Sequence, residues 1–275
     1  MYTETRLFQI FSEYLNENGC PDKPGFMLKK NHTQRVMKLS RMISEALGCS
    51  KEDVDLAVLI ALLHDIGRFD ELRILQMFDS SRFNHAMYGA AMLFDQGLIR
   101  RFQEDDRYDG LIRKAIENHN RLAVEEGLDE RTLFHCRVIR DADKLDNFHV
   151  KLTEKVGDTF AGTGISRETV EDSRISPAVL QAIRERRCVK LADRHEPLDY
   201  YVCIMAFAFD LYFPCSYAYV IEKDYIRRMY EQFSYHDPRT AEQMQEIFEI
   251  ISAYVKAKAE GSGYDQTDMS ENHPQ

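Results

Sequence analysis

An all-α fold follows from three features of this 275-residue sequence. Apolar residues recur at the spacing of a helix face over most of its length. No segment sustains the period-two alternation of a half-buried strand. Glycine and proline punctuate the first segments, at Gly19, Pro21, Pro24 and Gly25 and again at Gly48.

Taken in order, the spacing predicts a first helix over about 4–17. Gly19, Pro21, Pro24 and Gly25 then mark a loop. Val36, Leu39, Ile43, Ala46 and Leu47 lie on one face of a second helix, which Gly48 closes. Further helices are expected over about 52–65, 70–78, 84–97, 107–120 and 130–148. From about 151 to 175 the composition turns to Gly, Thr, Ser and charge, a connecting region. Helices resume over about 175–187, 199–213, 216–233 and 239–257. The expected organisation is a domain over 1–150, a helical C-terminal lobe over 151–260 packed on it, and a disordered polar tail over 261–275.

Composition narrows the function classes. With 44% hydrophobic and 30% charged residues there is ample material for a core. A net charge of −10 argues against a nucleic-acid polymer as partner, because such binding neutralises phosphates with Lys and Arg. It leaves room for a small phosphorylated substrate, where a metal can carry the positive charge locally. The six cysteines form no Cys-x-x-Cys pair and read as reduced residues. The N-terminus has no signal-peptide pattern, and Asp210 and Pro214 interrupt the apolar stretch 200–221. A cytoplasmic protein without membrane contact is expected.

The segment Leu62-Leu63-His64-Asp65-Ile66-Gly67-Arg68 carries the most chemical information. Leu56 to Leu63 holds no charge and runs straight into His64 and Asp65. Adjacent ionisable groups are costly to bury unless something pairs them, and a divalent metal does so. The reading is a buried helix whose last turn delivers two ligands. Other candidates sit on predicted helices: His32 near the start of the second, His85 opening another, His119 ending another, and Asp143 in an apolar helical stretch. Imidazole and carboxylate suit Mn, Fe, Co, Ni, Zn or Mg, and the absence of thiolates speaks against a structural zinc site.

This order of His, His-Asp, His, His, Asp resembles the HD-domain superfamily of metal-dependent phosphohydrolases, over roughly residues 28–150. His64-Asp65-Ile66-Gly67-Arg68 stands where the family commonly has His-Asp-Ile-Gly-Lys, and Asp141-Ala142-Asp143-Lys144-Leu145-Asp146 follows downstream. Asp143 and Asp146 are three apart and can share a helix face, whereas Asp141 and Asp143 cannot. The family's Ala-Asp pattern selects Asp143. The resemblance implies an all-helical fold and a first metal held by His32, His64, Asp65 and Asp143. It implies that His85 and His119 hold a second and that Asp65 bridges the two.

The activity implied is hydrolysis of a small phosphorylated molecule, a nucleotide or other phosphoester, by metal-activated hydroxide. Arg68, placed just past the helix end, is the candidate phosphate clamp because its planar fork suits paired oxygen contacts. Lys144 beside the last ligand is a second candidate, and Asp70 a weaker one for acid–base work. Two other readings share the scaffold: a di-iron oxygenase cleaving a carbon–carbon or carbon–phosphorus bond, and a non-catalytic nucleotide-binding sensor. The Gly-Tyr-Pro motif of the cyclic-dinucleotide phosphodiesterases in the family is absent.

Each candidate has a plainer reading, as a solvent-facing pair at a helix end, a surface histidine, or a charge paired with Arg140 or Lys144. His135, His149, His195, His236 and His273 have no matching context and read as structural or exposed. The aromatic stretch 200–214 reads as lobe core, not as a base-stacking platform. Asp210 within it is expected to find a buried partner.

Overall fold

The computed structural model describes residues 2–20, 23–76, 83–160 and 164–261, and all regular structure among them is helical. The chain divides into two compact units, Met1–Asp172 and Ser173–Gln275. The division falls at the far end of the Gly/Thr/Ser-rich stretch, beyond residue 150. The expected tail from 261 lies outside the described residues apart from Gly261 itself.

In the first unit α1 (Glu4–Glu17) starts where the Thr3 hydroxyl accepts the Arg6 N–H, and it buries Leu7, Ile10, Phe11, Tyr14 and Leu15. The next helix, α2 (Pro24–Ala46), begins earlier than the run of prolines and glycines suggests. Pro24 sits in its first turn, where the missing N–H costs nothing. The third, α3 (Lys51–Leu63), is capped by Ser50 and buries every residue from Leu56 to Leu63. A helix apolar on all sides must be central, and α3 packs against α1, α2, α6 (Asp109–Asn118) and α7 (Glu130–Thr153).

The chain turns at His64 and Asp65 and re-enters helix as α4 (Ile66–Leu75). The doublet therefore occupies the turn between two helices rather than the last turn of one, and Arg68 lies inside α4 rather than past a helix end. In the next element α5 (His85–Ala90) is capped by Asn84 and passes into a π-helical turn over Ala91–Asp95, which shortens the regular helix expected over 84–97. Farther on, α7 is capped by Asp129 and outruns its expected end at 148 by a full turn. Two short helices, α8 (Val156–Thr159) and α9 (Arg167–Glu171), stand in the expected connecting region.

The second unit comprises α10 (Pro177–Arg184), α11 (Asp199–Met205), α12 (Pro214–Glu222), α13 (Tyr225–Tyr230) and α14 (Pro238–Ala259), with α14 packed on α10, α12 and α13. The helix expected over 216–233 is broken because Asp224 takes a left-handed conformation, φ 51°. Asp199, fully buried, accepts from the Ser176 hydroxyl and from the backbone N–H groups of Ser176, His195 and Glu196. It closes the 194–198 loop onto the start of α10. Asp210 is half-buried and accepts the Tyr212 hydroxyl. No helix among the described residues is long and apolar enough to cross a membrane, and no disulfide joins the six cysteines.

Candidate metal centre

All six residues singled out as ligands converge in the first unit. Asp65 is at the centre, with its side chain 4% exposed. Its Oδ2 lies 3.7 Å from both His32 Nε2 and His64 Nε2. Its Oδ1 lies 3.3 Å from His85 Nε2 and 3.5 Å from His119 Nε2. The two oxygens of one carboxylate thus face two different histidine pairs. Asp143 Oδ1 joins the first pair, 3.1 Å from His32 Nε2 and 3.8 Å from His64 Nε2. His85 and His119 meet at 3.1 Å through their Nε2 atoms. His32, His64 and Asp143, and separately His64, Asp65 and His119, each offer ligand atoms within 4.8 Å of one another.

Each element brings its ligand for a local reason. His32 lies on the face of α2 turned to α3 and α7. His64 and Asp65 are adjacent, and the turn after α3 lets both point inward although neighbours on one helix could not. His85 is carried in by the close approach of α4 and α5 at Gly67 and Gly89. A Cβ on Gly67 would stand 2.3 Å from the His85 carbonyl oxygen and 2.8 Å from the Gly89 nitrogen. The glycine after His-Asp-Ile is therefore a spacing requirement of the site, a role that sequence pattern did not disclose. His119 caps the C-terminus of α6, where the buried guanidinium of Arg140 donates to the carbonyls of Asn118 at 2.8 Å and Arg121 at 2.6 Å. A cation at that helix end is favoured by the exposed carbonyls.

The outer nitrogens are committed. His32 Nδ1 lies 2.6 Å from Asp146 Oδ2, and Arg35 grips the same carboxylate at 2.6 and 3.1 Å. His64 Nδ1 donates to the Ala61 carbonyl and His119 Nδ1 to the Ile116 carbonyl, both at 2.7 Å. With Nδ1 engaged as donor, each ring presents Nε2 as the available ligand atom, which is how metal-binding imidazoles are usually fixed. The Nε2 atoms of His32 and His64 are fully buried yet lack a properly directed hydrogen bond. Buried polar atoms left this way call for a partner, and a cation between imidazole nitrogens and carboxylate oxygens supplies one. The donor set fits a divalent metal.

The protonation states of His64, His85, Asp65 and Asp143 suit ligand atoms, whereas His32 is shifted the other way. Burial drives the His64 pKa down to about 4, and burial with the nearby Arg68 takes His85 well below its ordinary value, so both are neutral ligands. Burial opposes charge on Asp65, but Lys29, His64, His119 and His85 outweigh it and keep the carboxylate ionised. Asp143 is lowered likewise, burial being outweighed by His32 and His64. For His32 burial is outweighed by Asp143 and Asp146, and its pKa rises.

The cationic candidates fare differently. Arg68 is buried, with Nη1 2.6 Å from Glu71 and Nε 3.8 Å from Asp65 Oδ1, so it sits on the His85/His119 side. Lys144 follows Asp143 along α7 and so points about 100° around the helix from it. Its Nζ donates to the Arg140 carbonyl at 3.5 Å. Asp70 pairs with Arg73 and accepts the Tyr88 hydroxyl instead of meeting Asp65. The cation that sequence reading missed is Lys29, whose Nζ donates to Asp65 Oδ2 at 2.8 Å. Its signal was available, three residues before His32 on the same helix face. Asp146 is the other omission, second to Asp143 at the sequence level yet fully part of the site. His135 is buried against Asp53, 3.2 Å away, in keeping with a structural role, and His195 and His236 are exposed. His273 lies outside the described residues.

Residues 30–147 match the family described as HD domain, a span that contains all six candidate ligands. No curated protein and no solved structure matches the chain.

Proposed function

We propose, from the match of residues 30–147 to the HD-domain family, that the protein is a metal-dependent phosphohydrolase acting on a small phosphorylated substrate. The observation that carries the reading is Asp65, a buried carboxylate whose two oxygens face two separate histidine pairs. His32, His64 and Asp143 would hold one divalent cation, His85 and His119 another, and Asp65 both. Bound there, such ions lower the pKa of water towards neutrality and offset charge on phosphoryl oxygens.

The chain's own groups do the rest. Asp146 accepts the His32 Nδ1 proton and Arg35 holds Asp146, which keeps the ring oriented. Asn147 donates to Asp143 Oδ1 at 3.0 Å and fixes that carboxylate. The Asp143 side chain is 20% exposed, against 4% for Asp65, so substrate approaches over Asp143. Lys29 neutralises Asp65 from one side, and Arg68, braced by Glu71, offers its guanidinium on the other. Both are placed to bind phosphoryl oxygens, with Arg68 able to do so in paired fashion.

The test is metal analysis of the purified protein together with phosphate release from a panel of nucleotides and phosphomonoesters under Mn, Mg, Co and Ni. Metal-dependent phosphate release that disappears in Asp65→Ala supports the proposal. Two bound irons with substrate-dependent oxygen consumption would replace it with an oxygenase. Metal-loaded protein inert on the whole panel would replace it with a sensor.

A further inference from the structure

A second site lies in the first unit, apart from the metal centre. Residues of α1, α4, α5 with its π-turn, and the turn at Leu98–Arg101 line an open cleft of about 400 Å³. That is the size range of small-molecule sites. None of the six candidate ligands lines it. Its polar groups are Tyr14, Asn18, Asp70, Arg73, Tyr88, Gln96 and Arg101.

Three features give the cleft a chemical preference. The first is Tyr14, 8% exposed, whose hydroxyl has no hydrogen-bond partner among the described residues. Tyr14 lines the cleft beside Asp70, Tyr88 and Arg101. Burial raises its pKa to about 12, so it is an O–H donor at any ordinary pH. The hydroxyl opens on the cleft, where a ligand oxygen can accept from it.

The second is a pair of guanidinium groups from different elements. Arg73 comes from α4, and Arg101 from the 98–101 turn with its guanidinium 5.9 Å from the Tyr14 ring centre. Each has N–H groups to spare: Arg73 uses Nε and Nη2 on Asp70, and Arg101 uses one bond from each terminal nitrogen on Glu17. The third is that the one carboxylate in the lining is already committed. Asp70 takes Arg73 on Oδ1 and the Tyr88 hydroxyl on Oδ2 at 3.0 Å, so it braces the wall.

Donors therefore reach the cleft from three elements, one a hydroxyl and two cationic, around apolar surface from Met92 and Leu98. A tetrahedral oxyanion can accept from three directions, which a planar carboxylate does less well. We propose that this cleft is a binding site for a phosphate group, separate from the metal centre and requiring no metal. It stands independently of the phosphohydrolase reading. Because Asp65 immediately precedes α4 and His85 opens α5, an occupant would link the two helices that meet at Gly67 and Gly89.

The experiment is calorimetric titration of chelator-treated full-length protein with inorganic phosphate. Phosphate should bind the unaltered protein. Binding should persist in Lys29→Met, which removes a cation of the metal centre. It should weaken about tenfold in Tyr14→Phe, which deletes only the hydroxyl, and similarly in Arg73→Ala. Thermal melts of both cleft variants establish that they are folded. Loss in Lys29→Met with no change in Tyr14→Phe would place the phosphate in the metal centre and overturn the proposal. So would the absence of binding at millimolar phosphate.

Discussion

Gly67→Ala isolates the geometric requirement of the site, because it adds one methyl group and touches no ligand atom. The new Cβ would stand 2.3 Å from the His85 carbonyl oxygen and 2.8 Å from the Gly89 nitrogen, whereas ordinary contact begins at 3.4 Å. Both neighbours are backbone, so no rotamer change relieves the clash, and α4 and α5 must separate by about 1 Å. Overpacking of this kind costs about 1–3 kcal/mol. For a chain of this size each kcal/mol lowers Tm by about 2–4 °C. The separation carries His85 away from Asp65 Oδ1, now 3.3 Å distant, while His32, His64 and Asp143 stand on α2, the α3–α4 turn and α7. Metal–ligand distances tolerate only about ±0.2 Å, so the His85/His119 site should fail while the other survives. The assay is metal stoichiometry by elemental analysis beside a thermal melt, with His85→Ala as the clash-free control. Expected are one equivalent of metal in both variants against two in the parent, and a lowered Tm in Gly67→Ala. Two equivalents at parental affinity with an unchanged Tm would refute the account of this glycine.

Four further outcomes are expected. Asp65→Ala should abolish metal binding and His64→Ala should remove the ion of the His32/His64/Asp143 group, as measured by elemental analysis, and full occupancy in both variants would sink the site assignment. Asp146→Asn should weaken metal binding about 10–100-fold in a competitive chelator titration, because it removes the carboxylate that orients His32. Arg140→Met should destabilise the fold by about 3 kcal/mol or more in urea unfolding, since it strands the carbonyls at the end of α6 without their charged donor. Stripping metal with chelator should lower Tm, and restoring it at a hundred times its Kd should return about 2.7 kcal/mol; a Tm indifferent to metal would contradict a ligand set buried in the folded core.

Much of this protein was legible in one dimension. Helical periodicity is a local property, and so α1, α3 and α14 stand within a residue or two of their expected bounds. Where no residue announced a break, as at Asp224 or in the π-turn after Ala90, the expected helix ran on too far. The ligand set was legible because imidazoles and carboxylates on apolar segments are expensive without a common partner.

What the sequence by itself determined was the helical class and the identity of the groups that could meet a metal. The tertiary structure alone decided how they meet. It turned the chain between His64 and Asp65 so that one carboxylate faces two histidine pairs. It placed Lys29 on Asp65, and it made Asp146 a support for His32. It gave Gly67 a reason that only the facing backbone of α5 can state. Residue identity sets which bonds are possible, but their direction and partners arise from helices that come from distant parts of the chain and pack at fixed separations.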